Sequence, residues 1–564
     1  MKGSATMKVP RQSDNKPLSY TRRGEQVPAT LLSSCDGALV WRRVSITKKT
    51  IILGLLFAVF GVSSAHGITQ TWTWTGGGTD NNWTTTLNWT ATIPGTAPAS
   101  GGFENFGGST RLTPYNNENN LHSNGIMFES GASAFTLTGN GISMAGAAGI
   151  ANDSSSTQTV GMAITLTVSQ QFSATDGPLV FSGLIDGAYN LMLVGPSSIT
   201  LGAVGSLTPL SSLTATGGPV TIASITASGN VDFRGSTAVQ LGSDPTVQST
   251  GGNVIFGTAT FQGNGNSLTL AAAATVTLDG ALSGFDSLSV TANTLMLNGG
   301  GVTTAGDQIY SATVQQGADT TLTSLTGSLN LPAIQGNSHS LTLSAANTAT
   351  LNGALSCLDS LSVIANTLML NGGGVTTAGD QIYSATVQQG ADTTLTSTGG
   401  GNVILHAIDG NNNKLIVSTA GMVTFNGAVS EVATLDVTGS VVNNNNIQVA
   451  SGETLEFFGP VVNYGTIDAF YGTVIFHSTI NNQGTIITSN CPPIITSIEA
   501  IGQDIHISFT TCSNVPYEVD FNPDLVSGSW TPMTNLTATS TLTTVIDSGA
   551  TVLPKRFYRA GVLP

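Results

Sequence analysis

Along most of this chain, apolar and polar residues alternate in runs of three to five, as in Leu295-Met296-Leu297, Ser340-Leu341-Thr342-Leu343 and Thr473-Val474-Ile475-Phe476. A period of two turns one side of each run inward and the other to solvent, which predicts short β-strands. Gly and Asn punctuate the runs, and both suit turns that need positive φ. Charged residues make up 8% of the chain, against roughly 25% in an ordinary globular domain. The usual surface helix formers are therefore scarce. A hydrophobic share of 40% argues against disorder. The pattern reads as all-β.

Internal repetition organises these strands. Asp286–Ser324 recurs as Asp359–Ser397 with one change, Thr291 to Ile364, at a period of 73 residues. A shorter period follows. Val442-Asn443-Asn444-Asn445-Asn446-Ile447 leads to Val462-Asn463-Tyr464-Gly465-Thr466-Ile467 and then to Ile480-Asn481-Asn482-Gln483-Gly484-Thr485-Ile486, so the isoleucines stand 20 and 19 residues apart. A coil of about twenty residues suits a β-solenoid turn of three short strands. No single turn can bury its own apolar face, so stacking must supply the core. Stacked Asn side chains can also form amide ladders. Residues 121–490 are expected to give about 18 turns, a rod on the order of 90 Å long at ~4.8 Å per turn. The 73-residue unit should span three or four turns. A string of separate β-sandwiches is the competing architecture.

Other segments differ. Residues 66–120 carry Trp72, Trp74, Trp83 and Trp89, four of the six tryptophans. They read as an N-terminal cap, or as rings that stack on sugars. Residues 492–564 open on Pro492-Pro493 and hold six strand-like runs, which predict a small immunoglobulin- or fibronectin-like β-sandwich. Trp530, Phe557 and Tyr558 are its expected core.

Charge sets the address and narrows the partners. Residues 1–66 hold ten of the sixteen basic residues, leaving six basic and 28 acidic groups in the rest. Such a surface disfavours nucleic acid, anionic lipid and polyuronates. Ile51–Ser64 is a short apolar run behind Arg42, Arg43, Lys48 and Lys49, with small residues before a cut after Ala65. That is the form of a secretory signal peptide, and residues 1–65 are assigned to it with an upstream extension ahead of a true start near Val44. Its removal leaves no expected membrane-spanning segment. Cys491 and Cys512 could pair as a disulfide in an oxidising compartment, or remain buried thiols.

The segment from Trp72 to Trp89, with Ala134–Gly139, Ala148–Asn152, Gln170–Phe172 and Gly177–Ile185, resembles the autotransporter-associated β-strand repeat proteins of bacterial surfaces. Thr304–Tyr310 and Gly317–Leu322 are similar to filamentous-haemagglutinin-type adhesin repeats. These resemblances imply export to the medium or cell surface, and a right-handed parallel β-helix. An autotransporter proper ends in an outer-membrane barrel, and the roughly 70 residues after the solenoid are too few for one.

No catalytic motif, metal motif or cofactor-binding signature is present. His66, His122, His339, His406, His477 and His506 are isolated. Asp307 and Asp319, recurring as Asp380 and Asp392, are the carboxylates a β-helix glycosidase could use, or plain turn residues. Lys555, Arg556 and Arg559 form the one basic cluster after the export segment, which either balances nearby acids or docks on an anionic envelope polymer. The sequence thus points to a non-catalytic, adhesin-like structural rod. A glycan-binding protein and, behind it, a carbohydrate-active enzyme are the alternatives, with polysaccharide or the cell envelope as partner.

Overall fold

A computed structural model of the chain describes residues 70–470, 472–488, 492–512, 515–524, 529–552 and 555–563. The export segment, His66 and Cys491 lie outside them. Strand makes up 60% of the chain and helix 1%.

A parallel β-solenoid of about 19 turns forms the main body. Strand pairing shows how it is built. Ile447 lies beside Ile467, and Ile467 beside Ile486. The 20- and 19-residue spacings seen in the sequence are thus single turns. Each turn carries three strands on three faces. One inward column runs from Leu282 through Val302, Leu322, Leu343, Val363, Tyr383, Leu405 and Phe425 to Asn443 and Asn463, with the exposed Asn482 in register beyond them. Inward positions are buried and their neighbours are not, as the alternation requires: Leu288–Leu297 and Leu361–Leu370 show the same burial pattern. One hydrophobic core continues from Trp72 to Ala469, which rules out a string of sandwiches. Like stacks on like inside it, as in Phe233 and Phe256 on successive turns, whose rings lie 5.3 Å apart; Phe261, on the next strand of the same turn, meets Phe256 at 4.3 Å. The expected amide ladder is present as well: Asn443 donates to Asn463 and Asn463 to Asn482, at 2.8 and 2.7 Å.

The long repeat does not contain a whole number of turns. Tyr383 stands in the column that includes Val302 and Leu322. Its repeat equivalent, Tyr310, lies in the chain between those two residues, in another column with Val290 and Leu270. Four turns separate Val302 from Tyr383, and Tyr310 follows Val302 by one strand. The 73-residue period is therefore three and two-thirds turns, and its two copies sit one face apart. Both copies nevertheless make the same buried network. Each tyrosine hydroxyl donates to the nearby glutamine, Gln308 or Gln381, at 2.8 Å, and each glutamine amide donates to Thr304 or Thr377 at 3.2 Å. The three faces are close to interchangeable, so the structural unit is one strand with its corner. At one such corner Gly284 has φ +73°, and its counterpart Cys357 keeps the left-handed conformation at +54°.

Parallel stacking begins earlier than residue 121. Gly102–Phe106 pairs in parallel with both Thr71–Trp74 and Leu121–Phe128. On its other side Thr71–Trp74 takes Trp89–Ala91 as an antiparallel partner. The Trp-rich segment is thus the first turn of the solenoid together with the strand that covers its edge.

All six C-terminal runs are strands. Ile495–Ile501, Asp504–Thr510 and Leu542–Asp547 form one antiparallel sheet; Thr531–Thr537, Pro516–Asn522 and Phe557–Val562 form a second. Their facing sides share a core of Ile507, Phe509, Tyr517, Val519, Ala538 and Val545. Trp530 and Phe557 are only half-buried, and Tyr558 packs at the margin. The expected aromatic core is corrected to Phe509 and Tyr517, which meet edge to face at 5.8 Å.

Candidate functional site

The tryptophan cluster was the foremost candidate for ligand stacking. Alternation puts Trp72 and Trp74 on one side of their strand, and that side faces inward. Trp72, Trp74, Trp83 and Trp89 are 3%, 1%, 0% and 6% exposed. Trp89 meets Trp74 and Trp83 edge to face at 5.0 and 5.7 Å, and all three rings crowd Phe106. Trp89 Nε1 donates to the Trp83 carbonyl, Trp74 Nε1 to that of Thr110, and Trp72 Nε1 to Thr96 Oγ1. No ring offers a face to a sugar, and the stacking assignment is corrected: these side chains close the end of the core.

Asn88 explains Gly78 and the Asn-Trp pair of this segment. Fully buried, it accepts from Gly78 N and donates to the carbonyls of Asp80 and Asn82. A Cβ on residue 78 would lie 2.6 Å from the Asn88 side-chain oxygen, so the close approach needs glycine. Asp80 in turn accepts from Thr85, the main cause that holds its carboxyl below the ordinary value.

One polar residue of the cap escaped the sequence reading. Glu104 lies between Trp72 and Ile126 in register, with no exposed surface. Its Oε2 accepts from Ser123 Oγ, while Oε1 has no partner. Burial pushes its carboxyl up to about 8. The signal was available, since Glu104 stands two residues before Phe106 and so shares its inward side.

The repeated aspartates are turn residues in the structure. Asp307 and Asp319 accept from the backbone N–H of Ser328 and Ser340, one turn on; Asp380 and Asp392 do the same for Asn402 and Lys414. Asp244 and Asn253 cap the next turn in the same way. Each corner acid thus links successive turns. Asp286 and Asp307 share an open hollow of about 490 Å³ with Thr326 and Asn347. Among the described residues no group of three or more His, Cys, Asp or Glu is placed to hold a metal ion.

The two arginines of the basic cluster balance acids of their own module, while the exposed Lys555 lies over the Phe557 ring at 5.3 Å. Arg556 pairs with Asp547 at 2.5 Å and lies over the Phe521 ring; Arg559 pairs with the buried Asp520 at 2.8 Å and lies over Trp530. Tyr558 also donates to Asp547, and burial is the first cause that raises its phenol to about 12. His477 stacks on Phe458 and bonds to Glu456 at 2.9 Å. The expected Cys491–Cys512 pairing involves a residue outside those described. No helix among the described residues is long and apolar enough to cross a membrane.

Comparison with known proteins returns no matching family model, no matching curated protein and no matching solved structure.

Proposed function

We propose that this protein is an exported, non-catalytic structural rod of a bacterial surface or extracellular layer, adhesin-like in form. The observation that carries the reading is the unbroken parallel stack over a single core from Trp72 to Ala469. Such a stack resists bending because every strand is bonded to the turns on both sides. The corner aspartates, the best candidates for carbohydrate chemistry, tie one turn to the next, and the tryptophans are committed to closing the first turn. Scarce charge suits a stacked fold, where like charges would meet turn upon turn. The apolar run at Ile51–Ser64 and the resemblance to surface β-strand repeat proteins supply the address. Fractionation of cells making a C-terminally tagged chain tests the proposal. Recovery in the medium or outer envelope, with residues 1–65 removed, is expected; retention of the full-length chain in the cytoplasm would overturn it.

A further inference from the structure

We propose that Glu104 makes the N-terminal cap a pH-sensitive latch, closed while its carboxyl is protonated and loosened when the carboxyl ionises. The geometry points to this directly. The side chain stands in register between Trp72 and Ile126 with no exposed surface, one oxygen bonded to Ser123 and the other without a hydrogen-bond partner. A neutral acid can occupy such a place at modest cost, whereas a lone carboxylate there lacks a partner for its charge.

No neighbour supplies that partner. Thr71–Trp74, which pairs with the Glu104 strand, contains no ionisable side chain. On Leu121–Phe128, the other paired strand, His122 is exposed while Ser123 faces inward. Arg111, in the loop after the Glu104 strand, is committed to the Gly76 carbonyl and to Asn81. Asp80 in the cap loop is bonded to Thr85, Asn82 and Asn88. Glu129 is bonded to Asn105. Glu104 forms no ion pair among the described residues.

The sign follows from linkage. Burial pushes the folded carboxyl up to about 8, above the ordinary glutamate range that it keeps in the unfolded chain. The unfolded cap therefore loses its proton first. Full stability is present below the lower value, declines as pH rises, and is lost once pH passes the upper one. The tension falls on Thr71–Trp74 and Trp89–Ala91, because the Glu104 strand holds the first of these in place.

Trp41 and Trp530 are the only tryptophans outside the cap, so tryptophan emission of the exported chain is a local reporter. Acrylamide quenching is expected to rise about twofold or more between about pH 6.5 and 9.5 in the wild type, and to stay flat in Glu104→Gln, which has the same shape without the charge. A flat wild-type profile, or an unchanged rise in Glu104→Gln, would overturn the proposal. Hydrogen exchange of wild-type peptides provides a measurement independent of any variant. After correction for intrinsic rates, residues 70–106 should lose protection at about pH 9 while residues 400–430 keep theirs. Equal behaviour of the two regions would contradict the latch.

Discussion

Asn443 donates its side-chain amide to the side-chain oxygen of Asn463, one turn further along, at 2.8 Å, and both residues are fully buried. Asn463 passes the pattern on to Asn482 and also donates to the carbonyls of Gly465 and Thr485. Replacing Asn463 by Ala takes the side-chain acceptor from the buried Asn443 amide and the donor from Gly465, Asn482 and Thr485, which lie nearer solvent. A loss of about 1–3 kcal/mol is expected. It should be confined to the last turns, so hydrogen exchange should quicken over residues 440–488 with little change near residue 300.

The two buried tyrosines test whether the faces of the rod are equivalent. Tyr310→Phe and Tyr383→Phe each remove the donor to a buried glutamine oxygen. Each should cost about 1–3 kcal/mol by chemical denaturation. The two losses should agree, although the residues stand one face apart. A large difference would mean that the faces impose their own demands.

Deleting Asp286–Leu358 removes one copy of the 73-residue period and joins Phe285 to Asp359. The junction replaces like with like, so the solenoid should remain folded by circular dichroism. It should shorten by about 18 Å, three and two-thirds turns at ~4.8 Å each. A deletion three residues shorter should disrupt the stack, because every inward side chain beyond it would be displaced from its column.

In the C-terminal module, Arg559 balances the buried carboxylate of Asp520. Arg559→Ala should destabilise the module by about 1–3 kcal/mol, since the carboxylate is left buried without its cation. Asp520→Asn with Arg559→Ala should recover part of the loss, and thermal melts of the four variants measure the coupling.

Much of this architecture was legible in the sequence because stacking repeats its own geometry. The isoleucine spacing from Ile447 to Ile486 is literally the register of three successive turns. Six C-terminal strands fall where alternation placed them. The faces on which residues lie were harder to read. A period of 73 against a turn of about twenty leaves a remainder of roughly two strands, which rotates Tyr383 away from the face of Tyr310. The fate of the tryptophans depended on which side of Thr71–Trp74 closes over Phe106, and that is settled by packing. Trp530 precedes its strand, where it meets Arg559 and stays outside the core. Glu104 went unnoticed because acidic side chains are rarely fully buried without a partner.

Small-angle X-ray scattering of the exported chain tests the central claim most directly. A continuous column of about 19 turns predicts a rod-like profile with a longest dimension of at least about 90 Å. A profile of several compact bodies on flexible tethers would contradict it.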